Sequence, residues 1–212
     1  VYAFPPNRDT LGATAYFIVD NTPQGQPANL LIDAPAWEES HREWLSDRGG
    51  VRWLLITHRG GIGQATKIHK ALHCEVVIQE QEAYLLPDIP TTPFHHSFRF
   101  SPELEAIWTP GHSPGSACLY YSAHGGVLFT GRHLLPNRSG EPEPLRLAKT
   151  FHWPRQLQQV EALRTRFSAE TLAHLCPGAS TGFLRGQRSI DRAYERLQQI
   201  DIEAFRGAQP LL

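Results

Sequence analysis

The chain lacks an initiator methionine, and Val1–Arg8 has neither the charged start nor the apolar stretch of a secretory signal. Its beginning reads as trimmed, or as the continuation of an upstream segment. No apolar run approaches the roughly 20 residues that a membrane-crossing helix needs, which argues against a membrane span. An excess of one charge is also missing: 20 Lys and Arg stand against 21 Asp and Glu. That balance argues against a general nucleic-acid binder and against an acidic, solvating chain. Cysteine is scarce. Cys74, Cys118 and Cys176 form no C-x-x-C pair and are odd in number, which points away from a disulfide scaffold and toward a reducing, cytoplasmic compartment. Nothing repeats at a fixed short period and nothing is low in complexity. What is present is ordinary for a globular protein: 41% hydrophobic residues in 212, expected to form a single domain spanning 1–212.

Lysine is scarcer still, 3 against 17 arginines. Composition bias accounts for that, although the planar arginine fork also grips carboxylate and phosphate better than an ammonium does. The charge is uneven along the chain. Residues 1–131 hold 8 basic and 13 acidic groups, and residues 132–200 hold 11 and 6. The second stretch reads as solvated helix faces or as a basic surface for an acidic partner.

Hydrophobic patterning predicts a hairpin from strands at 13–19 and 28–32, then a helix marked by Trp37, His41, Trp44 and Arg48 and ended by Gly49-Gly50. A strand at 51–57, a helical stripe of Ile62, Ala65, Ile68 and Leu72, and a strand at 75–79 form a unit that predicts parallel pairing. Residues 87–98, rich in Pro and Thr, read as loop. Strands at 104–109, 117–121 and 126–130 read as an antiparallel meander. A long loop at 135–153, a helix through Leu157, Val160, Leu163 and Phe167, a strand at 171–176 and one C-terminal helix through Ile190, Tyr194 and Leu197 complete the α/β pattern.

Three stretches join a strand to a loop, where α/β folds place reactive groups on a rigid frame. They are Thr57-His58-Arg59-Gly60-Gly61-Ile62-Gly63, Thr109-Pro110-Gly111-His112-Ser113-Pro114-Gly115-Ser116, and Leu128-Phe129-Thr130-Gly131-Arg132-His133. A weaker fourth is Cys176-Pro177-Gly178-Ala179. With Leu31-Ile32-Asp33, these motifs resemble the metallo-β-lactamase superfamily, most closely its glyoxalase II-like hydrolases, over about residues 13–180. The resemblance implies a four-layer αββα sandwich with its site along one edge, and a binuclear metal centre.

At that centre the sequence departs from the family. Its first ligand motif, Thr-His-x-His-x-Asp-His, keeps Thr57 and His58 but has Gly60, Ile62 and Gly63 where the second His, the Asp and the third His belong. His112 matches the next ligand. Arg132 stands where the bridging Asp follows Thr-Gly, and Ala179 where the last His follows Pro-Gly, so two of seven positions survive. Zinc needs three or four N, S or O donors, and a guanidinium has no lone pair and repels a dication. The sequence therefore predicts loss of the binuclear centre, with no cofactor; the alternative is a single zinc or iron ion held by His58, His112 and a recruited His133 or Cys176.

The residues left suggest a binding site for a small anionic ligand or a protein partner. Arg59, Gly60, Gly61 and Gly63 lead into a helix expected at 63–73, and Arg132 and His133 add candidate donors for an anion. The competing reading is that the glycines pack the turn and Arg132 bonds a buried carboxylate such as Asp33. Two other functions stay open: a thioester or phosphoester hydrolase using His58 and His112 as acid and base, and a structural subunit of a larger assembly that joins through the basic stretch and the loop at 146–155. Ser113 and Ser116 read as turn residues, and Cys176 as an inert thiol with His174 on the same strand face.

Overall fold

Trp-Leu-Leu-Ile at 53–56 has no polar side chain, as a strand covered on both faces requires, and all four residues are buried. In the computed structural model, which describes residues 1–211, they form a central strand. The chain divides into two compact units, Val1–Phe94 and His95–Leu212.

The first unit is a six-stranded sheet in sequence order: β1 (Tyr2–Ala3), β2 (Tyr16–Ile18), β3 (Leu30–Ile32), β4 (Trp53–Ile56), β5 (Glu75–Gln79) and β6 (Thr91–Phe94). β2 and β3 are the expected antiparallel hairpin, and β3 to β6 run parallel. Helices α1 (Glu39–Ser46) and α2 (Ala65–Leu72) supply the crossovers. Leu45 and Ile68, one from each helix, join Phe17, Leu31, Leu54, Ile56, Val76 and Ile78 in one core. Each such aliphatic side chain contributes roughly 1.5–3 kcal/mol on burial. Arg48 stacks 3.8 Å over the Trp44 ring, where α1 ends.

The second unit is a five-stranded sheet in the order β13-β10-β9-β8-β7. It comprises β7 (Ser97–Ser101), β8 (Leu104–Trp108), β9 (Ala117–Tyr121), β10 (Val127–Gly131) and β13 (His174–Pro177). A two-stranded ribbon, β11 (Leu135–Pro136) with β12 (Pro142–Glu143), interrupts the long loop. Helix α3 (Trp153–Arg166) packs Leu157, Val160 and Leu163 on Ile107, Cys118, Leu128 and Leu175. Since β8–β9 and β9–β10 are antiparallel and β10–β13 is parallel, β8, β10 and β13 run one way. Their carboxyl ends therefore share one edge of the sheet.

Two expectations need correction. Residues 87–98 are not loop throughout: they contain β6 and the start of β7. Pro93 misleads the reading because proline cannot donate to a ladder, yet β6 is an edge strand and tolerates it. The C-terminal helix is two, α4 (Ala193–Gln198) and α5 (Ile202–Arg206), because Asp201 turns out of helical geometry and caps the second by accepting from the Ala204 N–H at 3.1 Å. Among the described residues no helix is long and apolar enough to cross a membrane.

Candidate functional site

Parallel pairing of β3 and β4 aligns Ile32 with Leu55, so the residues leaving the two strands, Asp33 and Thr57, lie side by side. Asp33 is buried and adopts a left-handed backbone (φ 57°), uncommon for a side chain other than glycine. Its Oδ1 accepts the Thr57 N–H at 2.8 Å and its Oδ2 the Thr57 hydroxyl at 2.6 Å. Thr57 Oγ1 also lies 3.0 Å from Nδ1 of the buried His58. A carboxylate only accepts, so the Thr57 proton points to Asp33 and the Thr57 oxygen must accept from His58. His58 therefore carries its proton on Nδ1 and its lone pair on Nε2. Asp33, Thr57 and His58 thus fix the tautomer of one of the two surviving family histidines.

After His58 the chain makes a 3-10 turn over Arg59–Gly61, closed by Gly61 N–H to His58 O at 2.8 Å. Arg59 donates from Nε to Glu82 Oε1 at 2.9 Å; Glu82 is wholly buried and Arg59 about half exposed. Side chains are excluded at the glycines of this turn. A Cβ on Gly60 would lie 2.9 Å from His58 Nε2, one on Gly61 2.2 Å from Asp33 Oδ1, and one on Gly63 (φ 42°) 2.9 Å from Thr10 and 3.0 Å from Ala34. Helix α2 starts at Ala65, two residues later than the glycine pattern suggests.

In the second unit the ends of β8, β10 and β13 hold the other motifs. Gly111 (φ 143°) leaves no room for a side chain, since its Cβ would sit 2.4 Å from the Gln156 Cα of α3. Its carbonyl accepts the His152 N–H at 2.9 Å, and the carbonyl of His112 accepts the Phe151 N–H at 3.1 Å, tying this loop to the start of α3. Ser113 and Ser116 are turn residues, as expected: the Ser116 hydroxyl accepts the Ser113 N–H at 2.8 Å and lies 2.9 Å from the Ser113 hydroxyl. Gly131 accepts the Gly178 N–H at 2.7 Å, which joins the loop carrying Arg132 and His133 to that carrying Ala179. Arg132 is half-buried. His133 is fully buried, and its carbonyl accepts from Gln156 Nε2 at 3.0 Å. Burial first, then the neighbouring His112, pushes its pKa down to about 3, so it is uncharged at neutral pH. Neither of its ring nitrogens has a hydrogen-bond partner among the described residues. This burial is invisible in the sequence, where His133 is one more polar loop residue beside Arg132.

Among the described residues, no three His, Cys, Asp or Glu side chains are grouped so as to hold a metal ion. His95 and His96 are exposed, as expected of loop histidines. His69 is turned toward the carbonyl of Cys74, with Nδ1 at 2.8 Å. The segment expected as loop at 149–155 enters α3 at Trp153, and Arg155 of that helix lies 4.7 Å over the Trp108 ring of the same unit.

Burial raises all three thiols, Cys74 to about 11 and Cys118 and Cys176 to about 12. The burial of Cys176 favours the expected reading as an unreactive thiol. A thiol reagent at pH 8 is accordingly expected to label none of the three in the folded protein within an hour, and all three in denaturant. Rapid labelling of Cys176 in the native state would reopen a nucleophilic role.

The fold and motifs agree with comparisons to known proteins. Residues 31–174 match the family model described as the metallo-beta-lactamase superfamily. No protein of curated function is similar enough in sequence to match. Among solved structures, TTHA1623 in a di-iron-bound form is 19% identical over 92% of this chain and 96% of its own, with a TM-score of 0.68. ETHE1 from Myxococcus xanthus is 18% identical over 97% and 88%, with a TM-score of 0.66. An N-acyl homoserine lactone hydrolase with product at its metal centre is 14% identical over 89% and 98%, with a TM-score of 0.59. At these identities the likeness is one of fold, the α/β sandwich with two main sheets. The chain belongs to the metallo-β-lactamase superfamily.

Proposed function

We propose that this protein has given up the binuclear metal centre of its family and acts by binding a small anion or a protein partner through its strand-end loops. The observation that carries this reading is the donor set. Gly60, Ile62, Gly63, Arg132 and Ala179 offer no side-chain atom that ligates a metal, and the family's two-metal site does not fit them. In the first unit the replacement is built into the packing. The His58 ring and the Asp33 carboxylate fill the space that side chains on Gly60 and Gly61 would need. Asp33 also lies in front of the Gly61 backbone, so an anion meets a carboxylate there.

The alternative is a hydrolase with a mononuclear or metal-free site. The Asp33–Thr57–His58 chain favours it, since a fixed Nδ1–H tautomer leaves Nε2 as a base or a ligand. One experiment addresses both readings. The protein is equilibrated with zinc, manganese or iron, desalted, analysed for metal, and assayed on a thioester and a phosphodiester. The expected result is less than one ion per chain and no turnover above buffer. Two tightly held ions per chain overturn the binding reading. Turnover that falls about a hundredfold in His58→Ala supports the hydrolase.

A further inference from the structure

The basic stretch noted in the sequence has a structural counterpart that the strand-end loops do not use. In the second unit, the β11–β12 ribbon and the turn at Thr181–Leu184 border an open cleft of about 410 Å³. Its lining includes Arg138, Arg185, Arg196, Asp191, Phe183 and Ile190. We propose that this cleft binds a phosphate monoester carried on an aromatic or apolar group.

The charges in the cleft do not cancel. Arg196 is spent on structure: its guanidinium bonds Glu141 from Nη1, Asp191 Oδ1 from Nη2 at 2.9 Å, and the Asp191 carbonyl from Nε at 2.9 Å. This network offsets one of the two nearby carboxylates, leaves a single negative charge there, and ties the wall together. Arg138 and Arg185 are exposed and form no ion pair among the described residues. The two unspent guanidinium groups outweigh that remaining negative charge, so the cluster is net positive, and their planar forks suit the oxygens of a phosphate monoester, which carries a charge of roughly −2 at neutral pH. Arg188 and Arg192, exposed on the same segment, add to the positive potential.

The apolar half of the ligand follows from Phe183. Phe183 is 44% exposed, and it lines both this cleft and a neighbouring one of about 470 Å³ bordered by Leu135, Pro136 and Leu145. An aromatic face left open between two clefts of small-molecule size offers a stacking surface beside the anion site. The backbone here is unusual as well. Ser180 (φ 58°), Arg185 (φ 51°) and Arg192 (φ 45°) are all left-handed without being glycine. Each such residue costs on the order of 1 kcal/mol or more and persists only where its surroundings over-determine it, as they do at ligand clamps.

The test is calorimetric titration of the whole chain with phenyl phosphate and with inorganic phosphate at low salt. Phenyl phosphate is expected to saturate one site and to bind more tightly than inorganic phosphate. Arg138→Gln and Arg185→Gln are each expected to weaken it about tenfold or more, the usual scale for a charge-assisted hydrogen bond. Phe183→Ala should erase the advantage of the phenyl group and leave inorganic phosphate unaffected. All three positions lie on the surface, so unchanged melting temperatures will confirm folding. Absence of saturable binding at millimolar phenyl phosphate overturns the proposal, as does an affinity indifferent to Arg138 and Arg185. Loss of binding in Arg132→Gln alone overturns it too, because the anion then belongs to the strand-end loops. Failure of the metal-binding prediction would leave the phenyl phosphate result untouched.

Discussion

Gly61→Ala is expected to destabilise the protein by about 3–5 kcal/mol, far more than a methyl group on a loop ordinarily does. The new Cβ would lie 2.2 Å from Asp33 Oδ1 and 2.5 Å from its Cγ. Asp33 is pinned by two bonds from Thr57, at 2.8 and 2.6 Å, and by its own N–H to Leu55 O at 2.9 Å. If the carboxylate moves, two buried donors lose their acceptor, each at a cost of about 1–3 kcal/mol. If the turn moves instead, Gly61 O loses the Ala34 N–H at 2.9 Å and the strand-end frame opens. For a chain of this size the expected loss corresponds to a fall in melting temperature of about 10 °C. Gly207→Ala is the control: its Cβ meets nothing within 4 Å and its backbone is not left-handed, so its melting temperature should barely move. The comparison also separates the two readings of the glycine loop. If Gly61 serves close approach of a ligand, the variant melts normally and loses binding; if it serves packing, it melts early with no ligand present.

That pair of readings shows how far the sequence reaches. The strands around the site were legible because their apolar runs are bounded by turn residues, and the strand-end loops because Thr-His and Thr-Pro-Gly-His stand at those boundaries. The side of the glycine loop that Asp33 covers depends on β3 lying beside β4 with Ile32 opposite Leu55, a register that no local pattern specifies. Glu82, the partner of Arg59, was missed for the same reason. It lies 23 residues away on a 3-10 turn, where a carboxylate reads as surface but is fully buried. Nothing in the sequence around Gly111 announces its contact with the Gln156 backbone, which lets α3 approach the loop carrying His112. Its close contact is a consequence of packing between distant segments, as is the burial of His133. The fold followed from local alternation, whereas the electrostatics of the site depend on which segments meet.

His133 turns that burial into a measurable dependence on pH. Its pKa in the folded chain is about 3, against roughly 6.5 when unfolded. Between those values the unfolded state binds more protons, so stability rises with pH across the window. The contribution is fully present above pH 6.5, falls as the pH drops, and is exhausted near pH 3. At about 1.4 kcal/mol per pH unit the whole effect is roughly 5 kcal/mol, and about 3 kcal/mol is lost by pH 4.5. That is a large share of the 5–15 kcal/mol that holds an ordinary domain folded. Urea unfolding of the native chain and of His133→Leu, each from pH 7.5 to 4.5, isolates it, because the remaining titrating groups are common to both proteins. The native chain is expected to lose about 3 kcal/mol more than the variant over that range, with the gap opening below pH 6.5. Parallel curves would mean that the imidazole is hydrated or paired when folded, and its desolvation would then be no part of how the loop beside Arg132 is held.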